Sequence, residues 1–122
     1  MISQSLPVFD RNFLRQTIEI DDRGVLLELF DEYLRQLRQL KDVAADGCDS
    51  PQQIQALAHL CHNIKSSSTE IGAFQLAHAL QPLEQACLNK SDKMQALISI
   101  TEHLIAATMV EVEAEVALLM RK

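Results

Sequence analysis

The stretch SPQQIQALAHLCHNIKSSSTEIGA, residues 50–73, carries a start signal, an apolar face and a stop signal for one helix. Ser50 can cap the helix, Pro51 suits its first turn, and Gln53 occupies the matching slot of a capping box. Small or apolar residues then recur every three or four positions: Ile54, Leu57, Cys61, Ile64, Ser68 and Ile71. This pattern predicts an amphipathic helix that ends where Gly72 interrupts it.

Two helices are predicted before this stretch. Asp10 can cap a short first helix, in which Phe9 and Leu14 are placed to form a hydrophobic staple. Asp21 or Asp22 can cap a longer second helix. The apolar positions of that helix recur at helical spacing up to an expected end near Gly47: Leu26, Leu29, Phe30, Tyr33, Leu37, Leu40 and Ala44.

Two more helices are predicted after it. The first runs from about Ala73 to Leu88 and should bend at Pro82, which removes a backbone hydrogen bond. Ser91 can cap the last helix, which spans about 28 residues at helical geometry. The residues that form a long, mainly apolar stripe along this helix are Met94, Leu97, Ile98, Leu104, Ile105, Thr108, Val112, Val116 and Leu119. Together these helices predict an all-α, antiparallel four-helix bundle with a short extra N-terminal helix, in a single domain of residues 1–122.

The composition excludes several classes of function. The net charge is -6 and no cluster of Lys and Arg stands out, so a nucleic-acid-binding protein is not expected. No apolar run approaches the roughly 18 residues of a membrane span, and the N-terminus lacks the features of a signal peptide. The three cysteines are odd in number and scattered, as in a reduced, cytoplasmic protein. The initial Met and short tails suggest a protein that stands alone, but a domain cut from a longer protein would look similar.

His62, Lys65 and Ser66 are unusual residues for the interior of a helix. On a helical wheel with Leu57 at zero, His62 falls at about 140°, away from the apolar face, and Lys65 and Ser66 fall at about 80° and 180°. An exposed imidazole is mostly uncharged and nucleophilic at neutral pH. A cation three residues away can stabilise a phosphoryl group, and a small neighbour leaves room for a partner.

The segment HNIKSSSTEIGAFQLAHALQPLE, residues 62–84, resembles the motif of the histidine-containing phosphotransfer (HPt) domain family. The residues that match in order and spacing are His62, Lys65, Ser67, Ser68, Gly72, Ala73, Leu83 and Glu84. The segments LPVFD and 22–30 also resemble the N-terminal part of the family, so the resemblance covers most of the chain. The last helix is similar to that of the family only in type, without a match of individual residues. Ser66 departs from the pattern, because the family usually has Gly there.

This resemblance implies a phosphorelay intermediate. His62 would accept a phosphoryl group from a receiver-domain aspartate on its outer ring nitrogen and pass it to another receiver. Lys65 would stabilise the transferring group, and Glu84 would orient the imidazole through the inner nitrogen. The expected partners are receiver domains of a hybrid sensor kinase, a response regulator or both. No cofactor is expected on this chain, since Mg²⁺ belongs to the receiver, and the chain is expected to be a monomer without kinase activity.

The neighbours of His62 have expected roles as well. Ser66, His59 and Thr69 lie next to the phosphorylation site, and His59 lacks a lysine three residues on. Ser67, Ser68 and Gly72 are expected to be structural residues of the motif, with the two serines packing against a neighbouring helix. Three glutamates near the C-terminus are expected to form a solvated face: Glu111, Glu113 and Glu115.

Two other functions stay open at this stage. One is a helical bundle that binds receivers or other signalling proteins without being phosphorylated, an alternative that Ser66 supports. The other is a metal-binding bundle that uses His and Cys side chains: His59, Cys61, His62, His78, Cys87 and His103. It is disfavoured, because no Glu-x-x-His pair is present and these positions share no single apolar face.

Overall fold

The computed structural model describes residues 6–17 and 22–121 and shows helices joined by short turns. The helices are α1 (Phe13–Thr17), α2 (Arg23–Ala45), α3 (Pro51–Ile71), α4 (Phe74–Asn89) and α5 (Met94–Met120). These described residues contain no β-strand, so the predicted all-α class is confirmed. No helix within them is long and apolar enough to cross a bilayer.

The four long helices form a closed ring around an apolar core. α2 packs against α3 and α5, α4 packs against the same two helices, and the short α1 touches α3. Large side chains from all four long helices are fully buried, among them Phe30, Leu37, Leu57, Ile64, Leu80, Leu83, Ile105 and Val112. The apolar periodicity of the sequence therefore predicts most of the core.

The start signals of α2 and α3 act as the sequence predicts. The Asp22 carboxylate accepts a hydrogen bond from the backbone N–H of Val25 at 3.1 Å, whereas Asp21 lies outside the described residues. Ser50 and Gln53 form the reciprocal capping box: Ser50 Oγ accepts from the Gln53 N–H at 3.2 Å, and Gln53 Oε1 accepts from the Ser50 N–H at 3.0 Å. These bonds satisfy donors that a helix N-terminus leaves free.

The start of α5 differs from the prediction. Ser91 Oγ accepts from the backbone N–H of Lys93 at 3.1 Å, so its hydroxyl caps the turn before the helix, and α5 begins only at Met94. α5 has 27 residues, close to the expected length. α4 begins at Phe74, because Ala73 has a non-helical ψ of 71°. Pro82 lies inside α4, and the bend expected there stays a prediction.

The N-terminal segment is tied to the junction between α3 and α4. The Asp10 N–H donates to the Gly72 carbonyl at 2.9 Å. The ring of Phe13 meets that of Phe74 edge to face, with centroids 4.9 Å apart. The Asp10 carboxylate accepts from the Asn12 N–H at 3.2 Å, in the turn that leads into α1. The staple between Phe9 and Leu14 stays a prediction, although both side chains are buried.

The prediction of a solvated acidic face is wrong for Glu115. This side chain is only 3% exposed, whereas Glu111 and Glu113 are exposed as expected. Its carboxylate lies 3.2 Å from Arg11 Nε and 3.3 Å from an Arg15 guanidinium nitrogen. Two arginines from the N-terminal segment therefore pair with an acid on α5, which stabilises a charge that would be costly to bury alone.

Candidate functional site

His62 projects from the middle of α3 into solvent. Its side chain is 65% exposed, and its Nδ1 atom lies 3.1 Å from Oε2 of Glu84 on α4. Nε2, the outer ring nitrogen, has no hydrogen-bond partner within the described residues. One nitrogen of the ring is thus held by the protein, and the other is open to an incoming molecule.

Glu84 connects His62 to Lys65. Its side chain is 12% exposed, and its second carboxylate oxygen, Oε1, accepts from Lys65 Nζ at 2.9 Å. The hydrogen bond from Lys65 holds the pKa of Glu84 below the ordinary value, against the opposing effect of burial, and His62 adds a smaller contribution in the same direction. A carboxylate that accepts from Nδ1–H leaves the lone pair of a neutral imidazole on Nε2. The arrangement therefore favours a nucleophilic outer nitrogen.

Gln81 is a member of this cluster that the sequence interpretation missed. Its side-chain oxygen accepts a hydrogen bond from Lys65 Nζ, so the lysine is held along α4 by two acceptors. Gln81 and Glu84 are three residues apart and thus share one face of α4. This spacing from Glu84 is the signal that would have identified Gln81.

The hydroxyl groups after His62 have three different environments. Ser67 Oγ and Thr69 Oγ1 donate to backbone carbonyls four residues earlier, at 3.3 and 3.1 Å. Ser68 is fully buried, and its Oγ lies 2.5 Å from Oη of Tyr33 on α2, a partner that the sequence interpretation also missed. Ser66 is exposed, and its hydroxyl makes no hydrogen bond within the described residues. Only Ser66 thus has a free hydroxyl on the His62 side of α3.

Gly72 ends α3 in a conformation that few other residues adopt. Its φ is 98°, and a Cβ atom added here would lie 2.8 Å from the Asp10 carbonyl oxygen and 2.9 Å from Phe13 Cβ. Glycine is required for both reasons, because such a φ strains L-residues and the space is filled by backbone. Gly72 thus allows the N-terminal segment to pack against the end of α3.

An apolar groove of about 610 Å³ runs beside the last turns of α3, between α1 and α2. Its apolar lining comes from Phe13, Leu14, Leu29, Tyr33 and Ile71. The sequence placed Leu29 on the core face of α2, but the structure leaves it 38% exposed. The prediction for Leu29 is wrong, because the side chain lines this groove instead of packing in the core.

The other histidines and the cysteines make no hydrogen bond to His62, Lys65 or Glu84 within the described residues. His59 is exposed and its Nε2 lies 3.1 Å from the side-chain amide of Asn63, while His78 and His103 are exposed on other helices. Burial raises the pKa of the Cys61 thiol to about 12 and that of Cys87 to about 11. Among the described residues, no three His, Cys, Asp or Glu side chains form a group that could hold a metal ion.

Comparison with known proteins places this arrangement in a family. The family model of the Hpt domain matches residues 23–119, which is more than half of the chain and includes His62, Lys65 and Glu84. No curated protein and no solved structure matches the chain significantly. The matched range runs from the first residue of α2 almost to the end of α5. The chain therefore belongs to the Hpt domain family of helical phosphotransfer modules in signalling.

Proposed function

We propose that this protein is a phosphorelay intermediate that carries a phosphoryl group on Nε2 of His62. The observation that supports this most strongly is the asymmetry of the imidazole, whose Nδ1 faces an ionised Glu84 while Nε2 faces solvent. The donor is the aspartyl phosphate of a receiver domain, and the acceptor is the aspartate of another receiver. The chain lacks a Gly-rich phosphate loop, so we expect no kinase activity of its own.

In the transfer step, the Nε2 lone pair attacks phosphorus. A P–N bond forms, the P–O bond of the acyl phosphate breaks, and the aspartate leaves as a carboxylate. The ring gains positive charge, which the neighbouring Glu84 carboxylate stabilises through the Nδ1–H hydrogen bond. Phosphoryl transfer depends mainly on positioning and electrostatics, and we expect the Mg²⁺ of the receiver to supply much of the charge neutralisation.

Lys65 is proposed to stabilise the phosphoryl oxygens. Its ammonium group has three N–H donors, of which Glu84 and Gln81 accept two. The remaining donor lies on a side chain that is 27% exposed, one turn from His62. Because the lysine is already held in place, a hydrogen bond to the phosphoryl group would cost little additional side-chain entropy.

The bundle supports this use as a rigid platform. We infer that its four long helices alternate in direction, because the links between them are far too short to return along a helix. Only Gly72 and Ala73 separate α3 from α4, whereas the 16-residue α4 spans about 24 Å at 1.5 Å per residue. We propose that the receiver covers the outer face of α3 and extends over the groove beside it. We expect this exchange to take place in the cytoplasm.

The test is phosphotransfer from phosphorylated receiver domains to the purified protein. The wild type should gain a phosphoryl group that is labile in acid and stable in base. His62→Gln should abolish this gain, while His59→Gln, a matched exposed histidine on the same helix, should retain it. Acceptance by His62→Gln at the normal rate would refute the assignment. A wild type that binds receivers but takes no phosphoryl group would favour the alternative, a binding module that is not phosphorylated.

A further inference from the structure

The outward face of α5 is apolar, unlike that of α2. The exposed positions of α2 carry mainly charged residues, including Glu28, Asp31, Arg35, Arg38 and Asp42. The side of α5 that faces away from the core is mostly Ala, Ile and Val: Ala96, Ile100, Ala107, Val110, Ala114 and Ala117. Ile100 is 54% exposed and Val110 is 66% exposed. A surface helix normally has charged residues there, so this face is suited to a partner.

The spacing of these residues is that of a coiled coil. Together with His103 and Arg121, they form the outer seam, which advances in alternating steps of four and three residues: 96, 100, 103, 107, 110, 114, 117 and 121. The buried residues Ile98, Ile105, Val112 and Leu119 repeat every seven residues on the opposite side. α5 therefore has one stripe for the bundle core and a second one, of heptad period, for another helix.

We propose that the outer seam pairs with the outer seam of a second copy, antiparallel, around a two-fold axis between residues 108 and 109. This register places each larger seam residue opposite an alanine. Ile100 meets Ala117 of the second copy, and Val110 meets Ala107. His103 meets Ala114, and Arg121 meets Ala96. In a parallel pair, by contrast, each seam residue would face the same residue of the second copy. Large side chains would then face large ones, and alanines would face alanines.

The charges favour the same orientation. In the antiparallel register, the imidazole of His103 can donate a hydrogen bond towards Glu111 and Glu113 of the second copy, within one turn, and the cationic Arg121 lies about one turn from Asp92. In a parallel pair, the two copies of Arg121 would face each other, and like charges in direct contact destabilise an interface. Both the sizes and the charges of the seam residues therefore indicate a second copy of this chain as the partner.

The dimer would leave the phosphotransfer site free. α5 packs against α2 and α4, and the described residues of α5 make no packing contact with α3. The outer seam and His62 thus lie on opposite sides of the ring of helices. Each copy could receive a receiver domain while paired through α5. This proposal departs from the monomer expected from the sequence and does not depend on the proposed function.

Sedimentation velocity of the full chain over about 1 to 100 µM tests the proposal, since a seam of this size suggests modest affinity. The mass should rise from 13.7 kDa towards twice that value. Val110→Glu should hold the protein at the monomer mass throughout. Leu88→Glu, which adds the same charge at a 61% exposed apolar residue of α4, should dimerise like the wild type. A monomeric wild type at the highest concentration, or a dimeric Val110→Glu, would overturn the proposal.

Disulfide cross-linking tests the orientation. Cys48 is only half-buried, so the variants are made in a Cys48→Ser background. Mild oxidation of the double variant Ile100→Cys, Ala117→Cys should give a covalent dimer. Ile100→Cys alone should not, because its two copies would be 17 residues, or about 25 Å, apart along the helix. Cross-linking of Ile100→Cys alone would show a parallel pair and refute the antiparallel register, and a double variant that stays uncross-linked would refute it as well.

Discussion

Glu84 Oε2 lies 3.1 Å from His62 Nδ1, and this contact joins α4 to the exposed face of α3. The second oxygen of the same carboxylate accepts from Lys65 at 2.9 Å. One acid therefore bridges the proposed nucleophile and its neighbouring cation. Glu84 therefore has two roles, since it orients the His62 imidazole and places a negative charge beside it. Different substitutions of Glu84 can test these roles separately.

The first prediction concerns the two roles of Glu84. Glu84→Gln retains an acceptor for Nδ1–H but removes the charge, so phosphotransfer should slow by about three- to fivefold. Glu84→Ala removes both, and transfer should slow by about tenfold or more, since a hydrogen bond to a charged group contributes about 1.5–3 kcal/mol. Rates are measured with one phosphorylated receiver in excess. Gln85→Ala, an exposed neighbour on α4, is the control. Equal rates for Glu84→Ala and wild type would contradict the orienting role.

The second prediction concerns pH and Lys65. Lys65 lowers the pKa of Glu84 below the ordinary 4.5, so ionised Glu84 stabilises the folded state above the unfolded pKa. That contribution is lost as the pH falls through the folded pKa. Carboxyl NMR should give a Glu84 midpoint below 4.5 in the wild type and a higher midpoint in Lys65→Ala. The same variant should transfer about five- to thirtyfold more slowly. An unchanged midpoint would show that the ion pair does not persist in solution.

Local sequence signals predicted the helices and the exposure of His62, because caps and periodicity are encoded within a few turns, whereas the place of Glu84 beside His62 was expected only from the resemblance to the family. These local signals failed for side chains whose burial and contacts depend on segments that are distant in the sequence. Glu115 was predicted to be a solvated acid, because no local sequence signal predicts its ion pairs with Arg11 and Arg15, which lie about 100 residues away in the chain. Leu29 fits the apolar period of α2, but in the packed bundle its side chain lines the groove between α1, α2 and α3 instead of the core. The contact between Tyr33 and Ser68 likewise requires the packed bundle.

The third prediction concerns this buried pair. Burial raises the pKa of the Tyr33 phenol, so its hydroxyl stays protonated and depends on Ser68 Oγ as its partner. Ser68→Ala should lower the free energy of unfolding by about 1–3 kcal/mol, because it leaves the hydroxyl buried without a partner. The double variant Ser68→Ala, Tyr33→Phe should recover part of this loss. Urea unfolding of the two single variants and the double variant measures the coupling. Strictly additive losses would mean that the two hydroxyls do not interact.

The fourth prediction concerns the end of α3. Gly72→Ala should destabilise the protein by about 1–3 kcal/mol, since a Cβ would strain the backbone and approach the Asp10 carbonyl oxygen at 2.8 Å. Gly24→Ala in the first turn of α2 is the matched control. There the added atom meets only the Asp22 carboxylate, at 3.2 Å, and φ is not positive. Thermal unfolding of both variants provides the comparison. A Gly72→Ala variant as stable as Gly24→Ala would show that the N-terminal segment does not pack there.

The fifth prediction concerns Ser66, which lies one turn after His62 where the family usually has Gly. Its hydroxyl is exposed and makes no hydrogen bond within the described residues, so it contributes little to the fold beyond helix propensity. Ser66→Gly should lower Tm slightly, through a few tenths of a kcal/mol, and leave phosphotransfer equal or faster, because it opens space beside the imidazole. Ser66→Leu should nearly stop transfer by blocking the receiver, while circular dichroism shows an intact bundle. A tenfold slower Ser66→Gly would instead identify the hydroxyl as a phosphate ligand, and normal transfer by Ser66→Leu would show that the receiver docks elsewhere.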